Sequence, residues 1–124
     1  MIYLDTHILV WIYQDVNKLP KKSLELIENN DLHYSPLVKL ELQYLYEINR
    51  ISNPPEQILQ YLYSNIGLKE SDKAFGEIIE YAMGINWTRD AFDRLIVASA
   101  MASSAKLMTK DKNILKNFSQ AVWT

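Results

Sequence analysis

Short apolar runs alternate with longer amphipathic stretches along this chain. IYL at 2–4 reads as a short buried strand, and THILVWIY at 6–13 as a helix apolar nearly all round. LPKKSLELIENN follows, with Pro20 at a first helical position and Leu24, Leu26 and Ile27 on one side. LHYS at 32–35 predicts a second strand, and Ser35-Pro36 a helix start that continues to about Asn49. In NPPE at 53–56, Asn53 is placed to cap, Pro54 to open the helix, and Glu56 stands three residues on, ahead of QILQYLYSNI. GLKES predicts a weak third strand, followed by a helix over roughly 72–83. After the turn GINW comes a helix entered through Asp90; it carries no charge from Leu95 onward, which predicts burial over most of its circumference. KLMT as strand, KDKNILKN as a short helix and AVWT as a last strand complete the pattern. Strands alternating with helices imply an α/β sandwich around a mostly parallel sheet, whose ligands gather at the carboxyl ends of the strands. No repeat, low-complexity tract or linker divides the chain, so residues 1–124 form a single expected domain.

Composition narrows the function. The 124 residues are 48% hydrophobic and 23% charged, enough for one core and ordinary for a folded protein. Net charge is −2, from 13 basic and 15 acidic residues, without a run of Lys or Arg. Bulk electrostatics does not hold a polyanion on such a chain, so a nucleic-acid contact needs local patches or a metal ion. The lack of cysteine excludes disulfides and thiolate metal sites and suits a reducing cytoplasm. Asp5 and His7 interrupt the apolar N-terminus, so neither a secretory signal nor a membrane span is expected.

The acids carry the chemistry. Asp5 follows strand IYL and Asp111 follows strand KLMT, both at carboxyl ends. Each also suits a plainer role: Asp5 and Asp111 as helix caps, and Asp90 with Asp93 as a first-turn acidic pair that favours the helix dipole. Asp93 nevertheless shares a face with Ile96, Val97 and Ala100, where an ionised carboxylate is costly without a partner. Glu41 sharpens the case. On the helix PLVKLELQYLYEI, at 100° per residue from Leu37, Lys39, Gln43 and Glu47 fall at about 200° to 280°, a solvent face, while Glu41 falls at about 40°, near the centre of the apolar arc. A buried glutamate needs a counter-charge. Either a core Lys or Arg supplies it, or Glu41 points at the same cation as the aspartates. Four carboxylates from four segments, Asp5, Glu41, Asp93 and Asp111, suit a hard divalent ion such as Mg²⁺ or Mn²⁺. Such ions activate water and stabilise charge on phosphate.

DTHILVW at 5–11, the SPLVKLEL helix, RDAFDRLIVASA at 89–100 and LMTKD at 107–111 resemble the PIN domain. The match is closest to the VapC-like ribonuclease toxins of bacterial toxin–antitoxin pairs, in order and spacing over nearly the whole chain. It departs at Ala91, where the family carries proline, and at Asn86-Trp87-Thr88, which replaces a His-rich approach. The resemblance implies a three-layer sandwich with four to five parallel strands and a Mg²⁺- or Mn²⁺-dependent endoribonuclease. It assigns the metal site to Asp5, Glu41, Asp93 and Asp111, with Thr6 and Asp90 auxiliary. It also implies a homodimer and a small cognate antitoxin that lays a peptide across the acidic site.

Among the remaining residues, Tyr44, Tyr46, Tyr61 and Tyr63 cluster around the 49–55 turn and suit either core cover or a partner groove. His7 and His33 make no zinc site, and His33 is expected to be structural. Arg94 stands four residues after Asp90 as a helix-surface pair. Arg89, Lys110 and Lys112 suit a phosphate contact or plain solvation, and Trp87 and Trp123 packing. Two other classes compete: a receiver-like Mg²⁺-binding phosphoacceptor, for which Lys110 is suggestive, and a PIN-like module that binds without catalysis. A receiver needs an aspartate ending its third strand, whereas Asp72 follows GLKES only after the strand. Acetyl phosphate labelling separates the first; metal-dependent cleavage separates the second.

Overall fold

The computed structural model describes residues 1–124. Five strands, β1 (Ile2–Leu4), β2 (Leu32–Tyr34), β3 (Lys69–Glu70), β4 (Lys106–Met108) and β5 (Ala121–Val122), form one sheet in the order β3-β2-β1-β4-β5. All four pairings are parallel. Seven helices flank it: α1 (Thr6–Gln14), α2 (Lys21–Glu28), α3 (Pro36–Glu47), α4 (Pro55–Ile66), α5 (Phe75–Met83), α6 (Ala91–Ala102) and α7 (Lys112–Asn117). The expected three-layer α/β architecture is therefore present with a wholly parallel sheet. Ile2, Tyr3 and Leu4 are all buried, as a central strand covered on both faces requires.

The expected burial of α6 holds: Ile96, Val97, Ala98, Ser99 and Ala100 are all buried in succession. Ser99 is tolerated there because its hydroxyl donates to the Leu95 carbonyl at 2.7 Å. Arg94 does not pair with Asp90 as the spacing suggests; its guanidinium donates to the Ala82 carbonyl at 3.0 Å and ties α6 to the end of α5. Tyr3 is buried in β1, and its hydroxyl donates to Ser71 Oγ at 2.7 Å and lies 2.6 Å from Ser103 Oγ. Tyr3→Phe strips that junction without changing shape. It is expected to lower stability by about 1–3 kcal/mol, read as a lower urea midpoint at unchanged m-value.

Three helix starts differ from the pattern. Pro20 is the N-cap of α2 and not its first helical residue. In NPPE, Pro55 opens α4 because the residue before a proline is forced extended, and Pro54 has ψ 157. Asn53 is therefore outside the helix, and its side-chain amide donates to the Tyr13 hydroxyl at 2.7 Å. Helix α5 begins at Phe75 and not near 72, since Ser71 Oγ accepts from the Lys73 N–H and holds the intervening turn. Helix α4 ends on Gly67, whose φ of 70 closes the last turn in the left-handed region.

Candidate active site

In the sheet order, chain connections turn in opposite directions on either side of the β1–β4 pair. A parallel sheet splays open at such a point and leaves a crevice at the carboxyl ends of the strands. Asp5 leaves β1 into that crevice, and Thr109, Lys110 and Asp111 leave β4 beside it. A pocket of about 370 Å³ lies there, lined by Asp5, Thr6, Glu41, Asp93, Lys110 and Asp111 together with His7, Ile8 and Trp11. All four carboxylates expected at the site thus meet in one cavity, with Thr6 beside them. Asp90 does not line it; it is exposed, accepts from the Asp93 N–H and lines, with Glu41, a neighbouring groove.

The capping readings also hold, and they do not compete with the pocket. Asp5 Oδ1 accepts from the Thr6 N–H at 2.8 Å, Asp111 Oδ1 from the Ile114 N–H at 2.9 Å, and Asp90 Oδ1 from the Asp93 N–H at 3.0 Å. Each cap engages one carboxylate oxygen. Asp5 Oδ2 accepts from the Thr109 hydroxyl at 2.7 Å, and the same Thr109 oxygen accepts from the Asp111 N–H at 3.0 Å. Thr109 is fully buried and couples the two acids that end adjacent strands. It did not stand out in the pattern; the signal was a hydroxyl between the apolar strand residues Leu107-Met108 and Asp111, where burial demands an acceptor.

Glu41 takes its hydrogen bond from the Thr6 hydroxyl at 2.5 Å and not from a lysine or arginine. Its position differs from the expected apolar centre. Val38 and Leu42 are buried, whereas Leu40, Tyr44 and Ile48 are exposed, so Glu41 sits at the edge of the buried stripe. Part of the apolar arc of α3 has no partner within the chain. Tyr46, Tyr61 and Tyr63 are exposed as well, which removes the reading that these tyrosines merely cover the core.

The electrostatics are those of crowded acids. Asp93 is pushed up to about 7, first by burial and then by the charges of Asp90, Asp111, Asp5 and Glu41. Burial also raises Glu41 and Asp5, against hydrogen bonds from Thr6 and Thr109 that favour their ionised forms. No three His, Asp or Glu side chains are disposed to hold one bare ion together. The receiver reading fails on geometry: receivers carry the strand order 2-1-3-4-5, and Asp72 lies beyond edge strand β3, away from the pocket.

A parallel α/β domain with an acid-lined pocket at its switch point is the class these observations define. The PIN domain family profile matches residues 2–119. The chain belongs to the PIN domain family. Similar solved folds include VapBC2 from Rickettsia felis bound to a DNA fragment from their promoter, with 23% identity, TM-score 0.63, and coverage of 98% of this chain and 96% of that one. A toxin–antitoxin complex from Klebsiella pneumoniae gives 16% identity and TM-score 0.65, covering 98% and 96%. FitAcB from Neisseria gonorrhoeae gives 19% and 0.55, covering 100% and 97%. No curated protein matches the chain by sequence. No helix is long and apolar enough to cross a membrane.

Proposed function

We propose that the protein is a metal-dependent endoribonuclease, the cytoplasmic toxin of a type II toxin–antitoxin pair, hydrolysing RNA at the acidic pocket. The observation that carries this reading is the convergence of Asp5, Glu41, Asp93 and Asp111 without a compensating ion pair, in a pocket where burial, and then the neighbouring carboxylates, push Asp93 up to about 7. Oxygen-only donors with excess negative charge fit a hard divalent cation. Mg²⁺ keeps several waters and needs only one or two direct carboxylates, so a tight cage of three is not required. When bound, Mg²⁺ or Mn²⁺ supplies Lewis acidity toward phosphate and lowers the pKa of a water.

One or two of the four carboxylates would hold the cation directly and the others through its waters. Thr6 and Thr109 donate to the carboxylates of Glu41 and Asp5 and so fix their orientation. Asp90 caps α6 and so sets where Asp93 points. Hydrolysis joins a water oxygen to phosphorus and breaks the bond to the sugar oxygen, which leaves with the proton. RNA as the substrate, a homodimer and a cognate antitoxin follow from the family resemblance. The exposed Leu40, Tyr44, Tyr46, Tyr61 and Tyr63 offer surface for such partners.

Cleavage of total RNA by the purified protein, with Mg²⁺, Mn²⁺ or EDTA and beside Asp5→Asn, tests the reading. Discrete products that require metal and vanish in the mutant are expected. Absence of products under every metal, with the fold intact, would leave the binding-module reading in its place. Thr109→Val should keep the fold but lower the cleavage rate about 10–100-fold, the usual effect of removing a group that orients a metal ligand. It should also cost about 1–3 kcal/mol, because Asp5 Oδ2 and the Asp111 N–H lose their shared partner.

A further inference from the structure

The pocket has a second wall, opposite in chemistry to the carboxylates. Trp11 lines it together with His7 and Lys110. His7 stands one turn earlier on α1 and stacks on Trp11 with centroids 6.5 Å apart and planes 28° apart. Trp123 tilts against the same indole at 5.8 Å. Two ammonium groups lie over that ring: Lys110 Nζ at 5.2 Å from its centroid and Lys18 Nζ at 5.7 Å. Four separate segments, α1, the turn behind it, the exit of β4 and the stretch after β5, bring this group together.

We propose that Trp11, Lys18 and Lys110 form a nucleotide subsite, in which single-stranded RNA lays one base on the indole and gives its flanking phosphates to the two lysines. The inference rests on the nuclease reading for the identity of the ligand, and it assigns the part of the pocket that grips rather than cuts. A chain of net charge −2 with four acids in its pocket repels RNA unless cations stand close by. Lys110 is the only lysine or arginine lining the cavity, and it directly precedes Asp111, so one strand exit delivers both the carboxylate and the cation.

Without RNA, the indole keeps Lys110 at the rim. An exposed cation–π contact is weak, whereas an ammonium–phosphate contact is charge-assisted on both sides. Phosphates therefore draw the lysines off the ring and free its face. An exposed aromatic face beside a cationic groove stacks nucleobases without regard to sequence. Trp11 is suited to this because it is half-buried against the core and braced by His7 and Trp123.

Binding of a short labelled single-stranded RNA to the full chain tests the subsite, in an Asp93→Asn background that prevents cleavage and with Mg²⁺ present. Lys18→Ala and Lys110→Ala should each weaken binding about three- to tenfold and lower the slope of log affinity against log salt by about 0.7, the single-strand value per phosphate. With Trp87→Phe and Trp123→Phe, Trp11 is the only indole left, and RNA should quench its emission. An unchanged salt slope in either lysine variant, or unquenched Trp11 emission, overturns the subsite. The slope measurement stands alone if the double tryptophan variant does not fold. RNA cleavage by the wild-type protein is read in parallel. Cleavage with an unchanged slope leaves the nuclease and removes the subsite; a reduced slope with quenching but no cleavage does the reverse.

Discussion

Asp93→Asn is expected to reduce RNA cleavage by about a hundred- to a thousandfold, the range seen when one preorganised charge-stabilising group is removed, with the fold preserved. The substitution is isosteric and touches no structural hydrogen bond of the helix start, because it is the backbone N–H of Asp93 that Asp90 caps. What disappears is a negative charge at the point where four other carboxylates already bear on it. The metal-free variant should accordingly unfold at a higher temperature than the wild type near pH 8, because the strained charge is gone. Greater stability with lost activity separates a functional carboxylate from a structural one, whose removal costs both. Initial rates with Mg²⁺ and thermal melts in EDTA read the two quantities. Cleavage at the wild-type rate would take Asp93 out of the site. Asp90→Asn is the control. It keeps a capping oxygen and does not line the pocket, so its loss of rate should be much smaller.

How far the sequence discloses this molecule depends on whether a feature is local. The alternation of IYL, LHYS and LMT with helical stretches already implies a parallel sheet, and Asp5 and Asp111 at strand exits already mark its ligand edge. Both follow from periodicity, which acts residue by residue. The apolar arc of α3 misled in part, because periodicity measures hydrophobicity and not coverage. Leu40, Tyr44 and Ile48 are apolar yet exposed, and only the placement of neighbouring helices decides that. Asn53 and Arg94 behaved alike. Each has a plausible local partner in the sequence, and each bonds instead to a group brought in by the fold, Tyr13 in one case and the Ala82 carbonyl in the other. Thr109 and the Trp11 cluster were invisible for the same reason: their partners lie 104 residues away for Thr109 and Asp5, and on three different elements for Trp11.

Capping does not keep Asp5 and Asp111 out of the pocket. A cap needs one oxygen aimed along the helix axis, and a strand-to-helix exit places that oxygen at the carboxyl edge of the sheet. In Asp5 the second oxygen accepts from the Thr109 hydroxyl, which orients it. Caps at Asp5 and Asp111 thereby hold the pocket's acids in place.

The metal-free protein is expected to lose stability as pH rises from about 4 to about 7, and divalent metal should reverse the loss. Asp93 is pushed from its ordinary 3.8 up to about 7 in the folded chain, and burial raises Glu41 and Asp5 in the same direction. Across that window the unfolded chain releases protons that the folded chain retains, so the native state binds more of them and unfolding becomes easier with each step in pH. Above the folded value the two states titrate alike and the loss levels off. Three pKa units correspond to about 4 kcal/mol. Asp93 is only half-buried, however, and solvent screening reduces its share to about 1–2 kcal/mol. For a domain of this size that is about 4–8 °C in Tm. On the proposed function magnesium would bind the ionised form, so its stabilisation should grow with free metal as RT ln(1 + [L]/Kd) and be largest where the metal-free protein is weakest. Thermal melts across this range, with EDTA and with millimolar Mg²⁺ or Mn²⁺, read both effects. Two curves that fall together with pH would mean that the carboxylates do not bind the cation. A metal-free curve that rises with pH would mean that the acids are individually stabilised and the pocket carries no excess charge. Asp93→Asn should flatten the metal-free curve and shrink the response to metal, which ties the stability effect to the carboxylate whose loss stops cleavage.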